Sequence, residues 1–376
     1  MKLSTGTAAQ QLRDGGRYLR FTSPGGRFAV KSSSLDQLSR VDAVVFDCDG
    51  VLIDARKSYD ATIRLVVETM VEEMTGVRLS LRRVTPKLIS MVRRTGGFNS
   101  DWDTSYALTL FSMVALEGRR DGRGATEALT AVTSGFGSAP RGRGQVAVDA
   151  FLEEKFPKLR GSLDKWRRFL GYPATPPEGR MTTVFDELYF GAPLYKKMHG
   201  VRAKSGPTKG LIESERTLVT ANSLESLVRT LGDTRLAIVT GRPFIGTDYS
   251  LGKRVMGYFD RRSSMFIGDA DIDPSLRPEY DRFRKPNPDA LIRAKEKLSS
   301  KTILYVGDSA EDLMMVKNAK RRGLEGFLFA GVYQTSPVQA DQASFFEREA
   351  SDLVIETVNQ VPSGLLLSRN DEVPIK

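Results

Sequence analysis

The chain has a single cysteine, Cys48, in 376 residues. One cysteine excludes a disulfide within the chain and a cysteine-built metal site. That usage fits a cytoplasmic setting, which is the expected localisation. No apolar run approaches the roughly 18 residues that a membrane-spanning helix requires. The opening MKLSTGTAAQQLRDGG has an early Lys but no apolar stretch behind it, so no secretory signal is expected. There is no GxxxxGK[ST], and no GxGxxG follows a strand pattern, so nucleotide-cofactor enzymes lose support. Basic residues are in excess, giving a net charge of +10, yet no five of them are consecutive. They fall in short groups such as Arg119-Arg120, Lys196-Lys197 and Arg321-Arg322. An anionic partner or a solvated basic surface would each account for the charge. Few aromatics cluster with the basic groups, so no stacking platform for nucleic acid is evident. Neither a nucleic-acid nor a membrane partner is expected, and the sequence is silent on oligomeric state.

Hydrophobic residues make up 40% of the chain, enough for a sizeable core, and the length suits two structural units. Residues 1–40 read as an accessory segment. Within it, residues 17–21 and 27–31 alternate in polarity around Pro24-Gly25-Gly26, which predicts a β-hairpin. Ala43-Val44-Val45-Phe46 is a continuous apolar run closed by Asp47-Cys48-Asp49-Gly50. A short apolar run bounded by glycine reads as a strand buried on both faces. From about 57 to 115 the apolar spacing is helical, with Ile63, Val66, Val67, Met70, Val71 and Met74 on one face. Residues 116–146 are rich in Gly, Arg, Ser and Thr and read as a mobile loop or surface insertion around a short helix. Helical patterns return at 147–170, 181–198 and 222–231.

A strand–helix alternation then follows. Strands are expected at 236–239, 264–267, 302–306, 326–332 and 353–355, with helices at 289–298 and 313–320. That rhythm predicts an α/β fold with a doubly wound parallel sheet. The helical block interrupts the rhythm after its first strand, so it reads as a helical cap inserted into the core. The expected division is a core of 41–58 and 222–365, a cap of 59–221 and a tail of 366–376.

Four segments stand at or just past strand ends or in loops: Asp47-Cys48-Asp49-Gly50-Val51, Thr240-Gly241-Arg242, Lys285-Pro286-Asn287-Pro288 and Gly307-Asp308-Ser309-Ala310-Glu311-Asp312. Each alone is weak, since a DxDG is equally a calcium turn or a solvated loop. Together they supply carboxylates, a hydroxyl and a cation, which is what phosphoryl transfer uses. Asp47 ends the rigid strand and is the better candidate nucleophile. Asp49 is placed to serve as acid and then as base. Asp308 and Asp312 add negative charge, and clustered carboxylates repel unless a cation lies among them. Magnesium suits such an oxygen-rich site.

In this order the four segments resemble the four motifs of the haloacid dehalogenase superfamily. The resemblance covers 41–58 and about 222–365, and the cap placement is similar to that of the helical-cap subfamily. It implies that Asp47 forms an aspartyl-phosphate and that Asp49 protonates the leaving alkoxide, then activates water. It implies that Thr240 and the backbone near Gly241 hold phosphate oxygens, and that Lys285 neutralises charge on nucleophile and phosphate. It implies magnesium bound by Asp47, the backbone carbonyl of Asp49 and Asp308, with Asp312 as a ligand or an outer-shell partner. The aspartate at the second motif position implies phosphoryl chemistry over dehalogenation. The expected substrate is a small phosphorylated metabolite, with a cap that closes during attack. The same motifs serve a phosphotransferase or phosphomutase, and the positive charge keeps a nucleic-acid-end phosphatase in view.

Further segments, residues 95–103, 186–191 and 210–212, resemble a branch of helical-cap hydrolases of archaea and cyanobacteria. Some of that branch are linked to histidinol-phosphate aminotransferase-like sequences, which points to histidine biosynthesis. Asn99, Asp101 and Asp103 read equally as substrate contacts or as a helix cap. Arg93 and Arg94 read as an anion clamp or as a solvated helix face. Cys48 is expected to pack beside its strand. His199 is expected in a loop or behind the site, and Arg242 in substrate binding or in a structural ion pair.

Overall fold

The computed structural model describes residues 10–12, 16–23, 25–77, 84–95, 98, 100–119, 124–138 and 144–369. The chain divides into two compact units, one formed by 1–55 with 215–376 and the other by 56–214.

The first unit is built on one sheet. Its strands are β1 (Gln10–Leu12), β2 (Tyr18–Ser23), β3 (Gly26–Lys31), β4 (Ala43–Phe46), β7 (Leu236–Thr240), β8 (Met265–Phe266), β9 (Ile303–Gly307), β10 (Phe327–Val332) and β11 (Leu353–Ile355). A separate two-stranded ribbon pairs β5 (Ile53–Asp54) with β6 (Arg216–Thr217), antiparallel. The order across the sheet is β1-β2-β3-β11-β10-β9-β4-β7-β8. From β11 to β8 every pairing is parallel. β4, β7, β9 and β10 are buried along their whole length. Apolar runs such as Ala-Val-Val-Phe therefore suit central parallel strands, which bury both faces. The fold class is α/β with a largely parallel sheet.

The N-terminal hairpin is part of this sheet rather than an appendage. β3 pairs antiparallel with β11, from Leu353↔Val30 to Ile355↔Phe28, and so covers what would be an open edge. Tyr18 locks it in place, its hydroxyl donating to the Ser351 carbonyl at 2.7 Å. Residues 1–9, 13–15 and Pro24, also assigned to the accessory segment, lie outside the described residues. At the other end the helix Val361–Arg369 runs past residue 365, and Arg369 donates to the carbonyls of Thr230 and Val41. Residues 370–376 lie outside the described residues.

The second unit is helical. Its helices are Arg56–Thr75, Pro86–Arg93, Asp101–Leu116, Ala125–Gly137, Gly144–Lys155, Arg160–Leu170 and Arg180–His199. Asp101–Leu116 is the central one, with every residue from Thr104 to Leu116 buried. Two of its buried hydroxyls bond back one turn, Thr109 to the Ser105 carbonyl and Ser112 to the Leu108 carbonyl. Residues 116–146, read as a loop or surface insertion around a short helix, do hold a helix, but its face is buried rather than on the surface. Ala125–Gly137 is a helix whose Ala125, Leu129, Val132 and Phe136 are buried. Phe136 lies 5.6, 5.3 and 5.3 Å from the rings of Phe98, Phe111 and Phe151, so this helix forms core. Its glycines and threonines masked an apolar face that recurs every three or four residues. Among the described residues no helix is long and apolar enough to cross a membrane.

Candidate active site

In the sheet β4 lies between β9 and β7. The three strand ends therefore stand side by side at their carboxyl termini, where α/β sheets bind ligands. Asp47 follows β4 directly, and its backbone amide donates to the Val306 carbonyl of β9 at 2.9 Å. The chain then turns sharply, with Gly50 at φ +77°. A β-carbon on Gly50 would stand 1.8 Å from Oδ2 of Asp308, so the glycine is what lets the two segments close up.

Asp47, Asp308 and Asp312 each offer a carboxylate oxygen within 4.8 Å of the others. Lys285 completes the group. Its Nζ is 2.8 Å from Asp47 Oδ1 and 2.7 Å from Asp312 Oδ1. The segment carrying Lys285 is tied to the helix Ala310–Arg321 by Asn318, which donates to the Pro286 carbonyl.

The three carboxylates differ in what surrounds them. Both oxygens of Asp312 have partners: Oδ1 takes Lys285 and the Tyr305 hydroxyl, and Oδ2 takes the Ser309 hydroxyl and the amides of Ser309 and Asp308. Ser309 and Asp312 form a reciprocal capping box at the start of their helix. Gly307 permits this fit, since a β-carbon there would stand 2.4 Å from that of Asp312. Burial presses the Asp312 carboxyl upward, yet Lys285 and these hydrogen bonds hold it below its ordinary value. Burial raises Asp47, against the pull of Lys285. Asp308 is pushed well above its ordinary value by burial and then by the charges of Asp312 and Asp47. Lys285 stays charged because Asp312 and Asp47 outweigh its burial.

One cation among three carboxylates leaves an excess of negative charge, which Asp308 feels from Asp312 and Asp47. All three donors are hard oxygens. That donor set fits a divalent cation such as magnesium, which takes carboxylate oxygens and keeps water in its remaining positions.

Asp49 lies apart from this group. Its Oδ1 accepts from Arg242 at 2.8 Å, while the side chain remains 37% exposed. Surrounding protein pushes its carboxyl up to about 7, Arg242 pulling down and Glu215 and Asp47 pushing up. Its side chain is thus no member of the acidic cluster of Asp47, Asp308 and Asp312. Thr240 is buried at the end of β7, its hydroxyl accepting the Arg242 amide at 3.2 Å. Gly241 follows with open space where a β-carbon would stand. Adjacency of β7 and β4 brings Thr240 and Gly241 to the same sheet edge as Asp47.

Three contributors carried no sequence signal. Tyr305, inside β9, donates to Asp312. Thr335 reaches the Gly50 carbonyl at 3.3 Å and Asp308 at 3.5 Å. Glu215 holds Arg242 at 2.9 Å. Other singled-out residues are occupied elsewhere. Cys48 is fully buried, and burial pushes its thiol up. In the helical unit Arg93 bridges Asp60 and Asp101. Asp103 accepts from Tyr172 and Gln145, and Asn99 lies outside the described residues. His199 is buried at a helix end against Asp186, at 2.8 Å.

The family model for haloacid dehalogenase-like hydrolases matches residues 41–320. The chain belongs to that family and is a hydrolase of its class. No curated protein matches the chain. Among solved structures, an X-ray structure from the Northeast Structural Genomics Consortium is similar at 20% identity and a TM-score of 0.58, covering 88% of this chain and all of the other. At that identity the likeness speaks for the fold alone.

Proposed function

We propose that the protein is a magnesium-dependent phosphatase of a small phosphate monoester, working through an aspartyl-phosphate on Asp47. The observation that carries this reading is the pairing of a strand-end carboxylate with a buried lysine, beside a carboxylate crowded well above its ordinary value. Magnesium would be held by Asp47, Asp308 and the backbone carbonyl of Asp49, and when bound supplies positive charge to the phosphate oxygens. Asp312 acts from outside that shell, because its oxygens already hold Lys285, Tyr305 and Ser309.

In the first step a carboxylate oxygen of Asp47 attacks phosphorus and the phosphorus–ester oxygen bond breaks. The departing oxygen takes the proton from Asp49. Asp49, now a carboxylate, takes a proton from water, and the water oxygen attacks the same phosphorus. The bond to Asp47 breaks, releasing phosphate and restoring both aspartates. Lys285 stabilises the charge on Asp47 and on the equatorial oxygens, and Thr240 with the Gly241 amide donates to those oxygens. A phosphatase of the archaeal and cyanobacterial helical-cap branch is the particular reading. Histidinol phosphate is accordingly the first monoester to try.

The test is phosphate release from a panel of monoesters, with and without magnesium, by wild type and Asp47→Asn. The panel holds histidinol phosphate, sugar phosphates, phosphoglycolate, nucleotides and a 3′-phosphorylated oligonucleotide. Magnesium-dependent release that Asp47→Asn abolishes is expected. Phosphoryl transfer to a second hydroxyl without release would replace this reading with a phosphotransferase or phosphomutase.

A further inference from the structure

Arg242 is a buried, charged motif residue that these steps leave unused. Its side chain is 1% exposed, and it stands between two carboxylates. One guanidinium nitrogen is 2.8 Å from Asp49 Oδ1 and the other 2.9 Å from Glu215 Oε2. The Glu215 side chain is also 1% exposed, and Ser250 donates its hydroxyl to the same Oε2 at 2.6 Å. Glu215 is fixed through the backbone as well. It directly precedes β6, whose Arg216 and Thr217 pair with Asp54 and Ile53, only a few residues past Asp49. Thr217 bonds in turn to the Ser250 carbonyl. The arginine is therefore anchored from behind by groups that do not include Asp49.

Two readings of Arg242 are open: a substrate-phosphate ligand, or a group that acts on Asp49. The first conflicts with its burial and with carboxylates on both terminal nitrogens, which an incoming phosphate would have to displace. A purely stabilising ion pair is also a poor account, because charges buried at this cost return little net stability. What the arrangement does give is direction. A planar guanidinium fork fixes the plane and the oxygen of the carboxylate that it meets. Asp49 is held at Oδ1, while more than a third of its side chain remains open.

We infer that Arg242, braced by Glu215 and Ser250, is a positioning residue that clamps one oxygen of Asp49 so that the other is aimed at the leaving group. This rests on the reading of Asp49 as the acid and base. Proton transfer is sensitive to such aim, since the donor must come within hydrogen-bond reach of the departing oxygen.

The test uses the dependence on leaving group. An alkyl phosphate needs a proton on its departing oxygen, whereas p-nitrophenyl phosphate scarcely does. kcat/KM reports events up to leaving-group departure, so the later water step does not enter. Asp49→Asn is the reference and should depress the alkyl substrate far more than the aryl one. Arg242→Lys keeps the charge but cannot span Asp49 and Glu215 together. It should lower kcat/KM for the best alkyl monoester by about 10- to 100-fold and for p-nitrophenyl phosphate by less than about threefold, a part of the roughly 100- to 10,000-fold that a general acid contributes, since Asp49 itself remains. If Arg242→Lys does not fold, as judged by circular dichroism, the uncharged pair Arg242→Gln with Glu215→Gln is read in the same way. Equal losses on both substrates, or no loss on either, overturn the positioning role while leaving the phosphatase reading in place. Equal losses in Asp49→Asn instead remove the acid reading, and the clamp with it.

Discussion

Replacing Asp308 with Asn removes the carboxylate that suffers most from its neighbours. Asp308, Asp47 and Asp312 offer oxygens within 4.8 Å of one another, and Lys285 supplies one compensating charge. Asp308 therefore faces roughly one uncancelled negative charge at about 5 Å, worth roughly 3 kcal/mol at an effective dielectric constant near 20. Protein relaxation and partial protonation reduce this, so metal-free Asp308→Asn should be more stable than wild type by about 1–2 kcal/mol near neutral pH. The sign with pH follows from linkage. The folded-state pKa of Asp308 is raised, so its contribution is fully present below the ordinary aspartate value and is lost as pH rises through the raised one. The advantage of the variant should accordingly vanish in acid and open as pH rises. Magnesium reverses the ranking. At a hundred times its dissociation constant it should stabilise wild type by about 2.7 kcal/mol and leave Asp308→Asn unmoved. Scanning calorimetry in chelator and in magnesium, at several pH values, reads all of this without a substrate. A metal-free variant no more stable than wild type above pH 7, or one that keeps the full magnesium shift, would refute the reasoning.

Three further perturbations test the architecture around that cluster. Gly50→Ala places a β-carbon 1.8 Å from Asp308 Oδ2 at a φ of +77°, so it should cost about 1–3 kcal/mol by calorimetry and abolish the magnesium shift together with activity. Phe136→Ala should destabilise the helical unit by about 3–5 kcal/mol in urea titration, as deletion of a core aromatic does; a change below about 0.5 kcal/mol would return 125–137 to the surface. Removing the hairpin through Lys31 bares β11, so the truncated chain should aggregate in light scattering at concentrations where the full chain does not. Unchanged stability and solubility would make the hairpin an appendage after all.

The parts of this fold legible in the sequence are those encoded by neighbours along the chain. Ala43–Phe46 could be read as a buried strand because four apolar residues run straight into an acidic turn. The helix expected at 313–320 is present as Ala310–Arg321, its earlier start fixed by the capping box of Ser309 and Asp312. What stayed hidden depends on residues far apart. Nothing within residues 17–31 says that β3 will pair with a strand at 353–355, because edge strands meet by fit of register and exposed backbone rather than by a motif. The sequence offers Asp312 as ligand or as outer partner, and its Tyr305 contact comes from inside a strand whose pattern reads only as apolar. Glu215 lies 27 residues before Arg242 in a stretch with no motif, and its burial follows from the β5–β6 ribbon.

Those hidden partners explain how two aspartates only two residues apart come to different surroundings. β4 has β9 on one side and β7 on the other, and each aspartate takes its partners from a different neighbour. Asp47 faces the carboxylates that follow β9, and Lys285 draws it into a cluster short of one cation. Asp49 faces the arginine that follows β7, which a second buried carboxylate holds from behind. Exchanging the two proposed roles would require exchanging the cations too, because a nucleophile must stay ionised while an acid must carry a proton. The spacing in the motif provides two carboxylates at one strand end; the lysine and the arginine, arriving from opposite sides, make them unlike.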